Sequence, residues 1–214
     1  MSFNTYGQNS KTFGARYQVW AEVKGVKHGG GVIDATAFAD TNYPVGSVIP
    51  AGTPVYLNKA GGTLTPIYFY ELAKTLTADD TEAVLYGNYP LTAGGGNLIV
   101  VPSSIGGTGA GVAYSAAVDN GDGTHTITIA ANALGTAAAG TVYAEANGAG
   151  ASGKYVKETA VPNGLLLHDI VKEEGDTFAT GAVVDEGRIF EDRIVAIPAA
   201  YKAVLPGIKF EKGV

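Results

Sequence analysis

The stretch GVAYSAAVDNGDGTHTITIA, from Gly111 to Ala130, decides how the fold is read. On its near side Val112, Tyr114, Ala116 and Val118 alternate with small or polar residues. On its far side His125, Ile127 and Ile129 alternate with Thr124, Thr126 and Thr128. A period of two marks a strand with one buried face. Two such runs on either side of Asp119–Gly123 predict a β-hairpin with its tip in the acidic, glycine-rich connection.

The same connection raises the question of a calcium loop. An EF-hand loop needs oxygen ligands at its first, third and fifth positions and glycine at its sixth. Counted from Asp119, the later positions fall on Gly121, Gly123 and Thr124, so the ligand set fails. Turn chemistry accounts for the same residues, because Asp and Asn bond their own backbone and Gly accepts positive φ. An adventitious ion between Asp119 and Asp122 is the remaining alternative. No metal site and no cofactor is expected.

Composition points the same way. Charged residues make up 16% of the 214 residues and Gly numbers 31, which suits short strands and tight turns better than long charged helices. Hydrophobic residues reach 46%, enough for a buried core. The formal net charge of −6 and the lack of Lys/Arg tracts leave no general attraction for nucleic acid. With no cysteine, disulfides, thiol catalysis and Cys-ligated zinc drop out together. No signal-like pattern opens the chain and no apolar run approaches the ~20 residues of a membrane helix. A soluble protein made in a cytoplasm, with no membrane partner, is expected.

Three segments differ in character. Residues 1–16 are polar with scattered aromatics (Phe3, Tyr6, Phe13) and read as an arm. Residues 17–67 and 155–214 have mixed charge and strand-and-turn patterning. Residues 68–154 form a Gly/Thr-rich insertion, without Lys or Arg between 91 and 153. Val19, Ala21 and Val23 alternate with Trp20, Glu22 and Lys24, and Lys59–Gly62 reads as a hairpin connection. Tyr70–Leu76 and Ala78–Leu85 each fit a short helical turn, and TEAVLYGNY (81–89) fits a strand about as well. GLLLHDIV, GAVVDEG and RIFEDRIV read as strands, with Asp185-Glu186-Gly187 as a turn. AAYKAVL (199–205) suits a short helix stopped by Pro206. The expected fold is mainly β: a small barrel- or sandwich-like base module with an inserted β lobe and few short helices.

Candidate chemistry is thin. GAGASGKY (Gly148–Tyr155) has the phosphate-loop spacing but puts Tyr155 where a Ser or Thr binds magnesium, and no helix follows. A flexible linker is the better reading. GGTGAG (Gly106–Gly111) precedes a strand and fits no dinucleotide fingerprint. His28, His125 and His168 are not at metal spacing. His168 and Asp169 would point to opposite faces of a strand. No catalytic residue is assigned. KEEGD (172–176) and DEGRIFEDR (185–193) read as solvated turns. The 12 tyrosines suit strands as well as a sugar- or protein-binding surface, so their number does not choose between them.

Four stretches carry a resemblance: PVGSVIPAGTP (Pro44–Pro54), PNGLL (Pro162–Leu166), GAVVDEGRIFEDRI and LPGIKF (Leu205–Phe210). Their order resembles the head decoration proteins of tailed phages, in particular the head fiber family of phages and prophages from Bacteroidales-like hosts. The likeness covers about residues 20–67 and 155–214, and only loosely the centre. It implies a non-enzymatic virion protein on the outer capsid surface, a homotrimer with the major capsid protein as partner. It also implies an N-terminal arm that adds to the capsid lattice, which makes Phe3, Tyr6, Phe13, Arg16 and Trp20 the candidate capsid-contacting residues. The inserted lobe would project, with a glycan or host-surface molecule as its candidate ligand. A β-rich adhesin or carbohydrate-binding module is the alternative function, and a nucleotide-using enzyme built on Gly148–Lys154 the least favoured.

Overall fold

The computed structural model describes residues 18–33, 35–87, 89, 91–131 and 133–213. The first group of strands is β1 (Trp20–Val26), β2 (Gly31–Ile33), β3 (Val48–Ile49), β4 (Pro54–Asn58) and β5 (Thr63–Pro66). The second is β6 (Tyr70–Leu72), β7 (Glu82–Tyr86), β8 (Gly96–Val100), β9 (Gly109–Asp119), β10 (Thr124–Ile129), β11 (Val142–Glu145) and β12 (Gly150–Lys154). The chain closes with β13 (Gly164–Leu166), β14 (Ile170–Val171), β15 (Ala179–Gly181), β16 (Val183–Phe190), helix α1 (Ala199–Ala203) and β17 (Ile208–Glu211). Strand accounts for 44% and helix for 4%, so the fold is mainly β.

The strands sort into two large sheets and a two-stranded ribbon of β3 and β14. One is an open, curled sheet in the order β1-β16-β13-β4-β5-β2-β15. One edge of β16 is shared: β13 pairs with its first half (Leu165↔Val184) and β17 runs parallel to its second half (Gly187↔Ile208). We call this sheet the base. The other is a closed six-stranded barrel, β10-β7-β6-β11-β8-β9, sealed by the pairing of β9 with β10. Strand β12 adds to the outside of β9. The expected barrel is therefore built by the middle of the chain, while the flanking segments form the open sheet.

The Gly111–Ala130 hairpin is a wall of that barrel. Its second strand keeps the expected alternation, and His125, Ile127 and Ile129 are all buried. The first strand does not. Thr128 faces Ala116 but Ile129 faces Tyr114, so Ser115 is an extra residue in a β-bulge. Beyond the bulge the inward face shifts by one residue. Tyr114 and Ala117 point in, and Val118 is 60% exposed rather than sharing their face. The ring of Tyr114 lies over Gly96 on the neighbouring strand, where a Cβ would sit 2.6 Å from its hydroxyl. Only glycine fits that contact.

Other local readings need correction. Residues 70–76 and 78–85 give strands β6 and β7, because each finds a barrel neighbour to pair with. Asp185-Glu186-Gly187 lies in the middle of β16, held extended by β1 across from it. Gly150–Lys154 is an edge strand on β9, not a linker. GLLLHDIV is split by a bend at Leu167–His168, after which Asp169 Oδ1 accepts the Ala51 N–H at 2.6 Å. The Lys59–Gly62 connection and the short helix at 199–203 form as expected.

One hydrophobic cluster runs through both sheets. It joins Val55, Leu165 and Val184 of the base to Leu85, Ile99 and Ile127 of the barrel. Helix α1 packs at the junction, where Tyr201 meets Phe69 edge-on at 4.8 Å between ring centres. The seam between base and barrel is thus lined by one continuous core.

Candidate functional site

A cavity of about 420 Å³ opens along this seam. Strands β2 and β5 of the base form one side, and Tyr70, Thr92 and Glu145 from the barrel segment form the other. In β5 Leu64 is buried, Thr63 and Thr65 alternate with it, and all three border the cavity. Tyr43 and Tyr68 stand in the wall with their hydroxyls hydrogen-bonded to each other. Behind them Tyr68 stacks on Tyr89 at 4.2 Å, and the Tyr89 hydroxyl meets Thr53 Oγ1 at 3.1 Å. At the rim Lys157 Nζ pairs with Glu145 at 3.2 Å, and Glu158 accepts the Ala160 N–H at 2.8 Å.

Burial sets the protonation of these groups. It pushes the Tyr43 hydroxyl up to about 12, against the pull of its bond to Tyr68, and pushes Tyr68 well above its ordinary value. Both stay neutral across the physiological range. The wall therefore offers uncharged hydroxyls that can donate and accept, beside charges already engaged with neighbours. This arrangement suits holding a polar molecule.

The residues singled out by sequence lie elsewhere. Phe3, Tyr6, Phe13 and Arg16 fall outside the described residues. Trp20 is 7% exposed, packed in the base with its indole N–H donated to the Leu167 carbonyl at 3.1 Å, so little of its ring is left for a partner. Asp119 and Asp122 are both used within the turn. Asp119 Oδ1 accepts the Gly121 N–H at 2.7 Å, and Asp122 Oδ1 accepts the Thr124 hydroxyl at 2.6 Å and its N–H at 3.0 Å. The Thr124 hydroxyl, then its N–H, hold the Asp122 carboxyl below its usual range. Among the described residues no group of three or more His, Asp or Glu is placed to hold a metal ion. No helix there is long and apolar enough to cross a membrane.

Two features escaped the sequence reading. Lys172, expected in a solvated turn, is buried: its ammonium donates to the carbonyls of Phe38 and Asp176, pairs with Asp40 at 3.2 Å and sits 4.4 Å from the Phe38 ring centre. It fastens two loops of the base together. The tyrosine cluster draws on positions 43, 68, 70 and 89, which separate segments of the chain bring together.

Compared with protein families, with curated proteins and with solved structures, the chain gives no match.

Proposed function

We propose that this chain is a non-enzymatic structural protein of a phage virion, decorating and stabilising the outer surface of the capsid. The major capsid protein is its partner and a homotrimer its working form. One observation supports the reading above others: the separate stretches that resemble head decoration proteins are neighbours in one sheet. Val55 and Pro54 pair with Gly164 and Leu165, and the Gly52 N–H bonds the Leu166 carbonyl at 2.8 Å. The Asn163 side chain brackets Leu57, 106 residues away, accepting from its N–H and donating to its carbonyl, each at 3.0 Å. Strand β16 then joins β13, and β17 joins β16. Packing of the resembling stretches as one unit is what a shared fold would require.

The direct test is retention on shells. Purified protein is mixed with expanded capsids that lack it and sedimented with them. It should co-sediment and raise the temperature at which the shells rupture. Removing residues 1–16, which the resemblance assigns to capsid contact, should abolish retention. Failure to bind any expanded shell, together with a monomer mass in solution, would overturn the proposal.

A further inference from the structure

We infer that the seam cavity is a binding site for a neutral saccharide, of one or two sugar rings. The inference does not depend on the decoration reading, since any protein with this seam would have the site.

The volume of about 420 Å³ lies in the range of small-ligand clefts, which favour the junctions between structural units. The walls are formed by strands of two sheets and so keep their shape without a ligand. What the walls offer decides the ligand class. Thr63, Thr65 and Thr92 bring hydroxyls, and the Tyr43–Tyr68 pair brings two more. A single hydrogen bond joins those two tyrosines, so one phenolic proton has no partner among the described residues. A ligand rich in hydroxyls can both donate to and accept from such a wall. Aromatic side chains supply the apolar surface against which the C–H faces of a sugar ring can lie.

Competing classes fit less well. An apolar ligand would strand these hydroxyls away from water, at a cost for each one left unpaired. An anion such as phosphate would meet two carboxylates, Glu145 and Glu158, against the one ammonium of Lys157, itself engaged with Glu145. A neutral polyol meets neither objection, and the rim carboxylates can accept from its vicinal hydroxyls.

The test is a titration of the full chain followed by amide resonances. Lactose and cellobiose are the sugar probes, with inorganic phosphate and the apolar dye anilinonaphthalene sulfonate beside them. At millimolar concentration at least one sugar should shift the amides of Thr65, Tyr68 and Glu145, while phosphate and the dye leave them unmoved. Thr65→Val keeps a β-branched residue in β5 and removes only the hydroxyl. It should weaken sugar binding about tenfold, the scale of one hydrogen bond in a desolvated site. Should that variant lose its dispersed spectrum, Glu145→Gln serves in its place with the same expected loss. No sugar response in the folded protein, responses away from the seam, or unchanged affinity in a folded variant would each overturn the assignment. Capture of phosphate or of the dye at the seam would overturn it as well.

Discussion

The base sheet has free edges at β1, β15 and β17, and the six-stranded barrel, apart from the added β12, has none. At one end of the base, β1 pairs with β16 through three register shifts and exposes Glu22 and Lys24; at the other, β15 is three residues long. Irregular, charged or short edges discourage pairing with another chain. The barrel seals itself because β10 pairs on both sides, with β7 and with β9. The polar side chains differ accordingly. In the base, Asn163, Asp169 and Lys172 bond backbone groups of loops that no strand neighbour reaches. In the barrel, strand neighbours satisfy the backbone, and the buried Tyr143 hydroxyl is left without a partner among the described residues. The fasteners of the base are partly or fully buried and reach across more than 100 residues, whereas those of the barrel segment are local or exposed, as at Asp119, Asp122 and Thr75.

The largest effects should come from the core common to both regions. Leu165 in the base and Ile127 in the barrel are both fully buried. Truncating either to alanine should cost about 2–5 kcal/mol. Trp20, the single tryptophan, reports on the base, while far-UV circular dichroism reports on all strands. A continuous core predicts that the two signals change together on heating in both variants. Two separated transitions would break the comparison into independently folding parts.

Next comes a fastener with no counterpart in the barrel. Lys172→Met keeps the length of the stem but leaves the carbonyls of Phe38 and Asp176 without their donor. About 1–3 kcal/mol of stability should be lost, the cost of a buried polar group left unpaired. Urea unfolding of the variant measures it. A change near zero would mean that water takes over the role of the ammonium.

The sequence made some of this legible and hid the rest for physical reasons. Turns were readable because their chemistry is local: Asp119 and Asp122 cap their own backbone, and Asn58 Oδ1 accepts the Ala60 N–H within its own connection. The inward face of β10 was readable from alternation alone. The bulge at Ser115 was not, since nothing in SAAV departs from a regular strand and the extra residue is defined only by the partner across from it. Asp185-Glu186-Gly187 has turn composition, yet long-range pairing with β1 holds it straight. Burial of Lys172 depends on carbonyls as far as 134 residues away. The seam cavity is the extreme case, because neither of its walls exists until the base and the barrel have both formed.

A smaller effect separates satisfied from unsatisfied hydroxyls. Tyr89 and Tyr143 are both buried, but only Tyr89 has a partner, Thr53 at 3.1 Å. Tyr89→Phe should cost about 1 kcal/mol, the net worth of a typical hydrogen bond. Tyr143→Phe should be neutral or stabilising, since it removes a hydroxyl that loses water and gains nothing. Paired urea titrations give the two signs, and equal losses would show that the Tyr143 hydroxyl is served by water.

The smallest effect is conditional on pH and belongs to the hairpin that closes the barrel. His125 is 6% exposed and its Nδ1 has no partner among the described residues. Burial holds its pKa below the usual value, while Asp119, the Gly87 backbone and Asp122 pull the other way without prevailing. The native state thus resists a proton that the unfolded chain accepts at about 6.5. As the pH falls through that value the unfolded chain gains protons first, so stability is full above it and declines below it. The loss is complete once the pH passes the lower, native pKa. Asp169 works in the opposite direction: burial raises its carboxyl above the usual carboxylate value, so protonation there favours the native state as the pH falls through that raised value. The Asp169 contribution is common to the wild type and to His125→Gln, so the difference between the two proteins isolates the histidine. Between about pH 7 and 5 the wild type should lose stability relative to His125→Gln. Parallel curves for the two proteins would mean that the imidazole is as accessible to protons in the barrel as in the unfolded chain, and that the barrel wall at the β9–β10 tip opens more readily than the base.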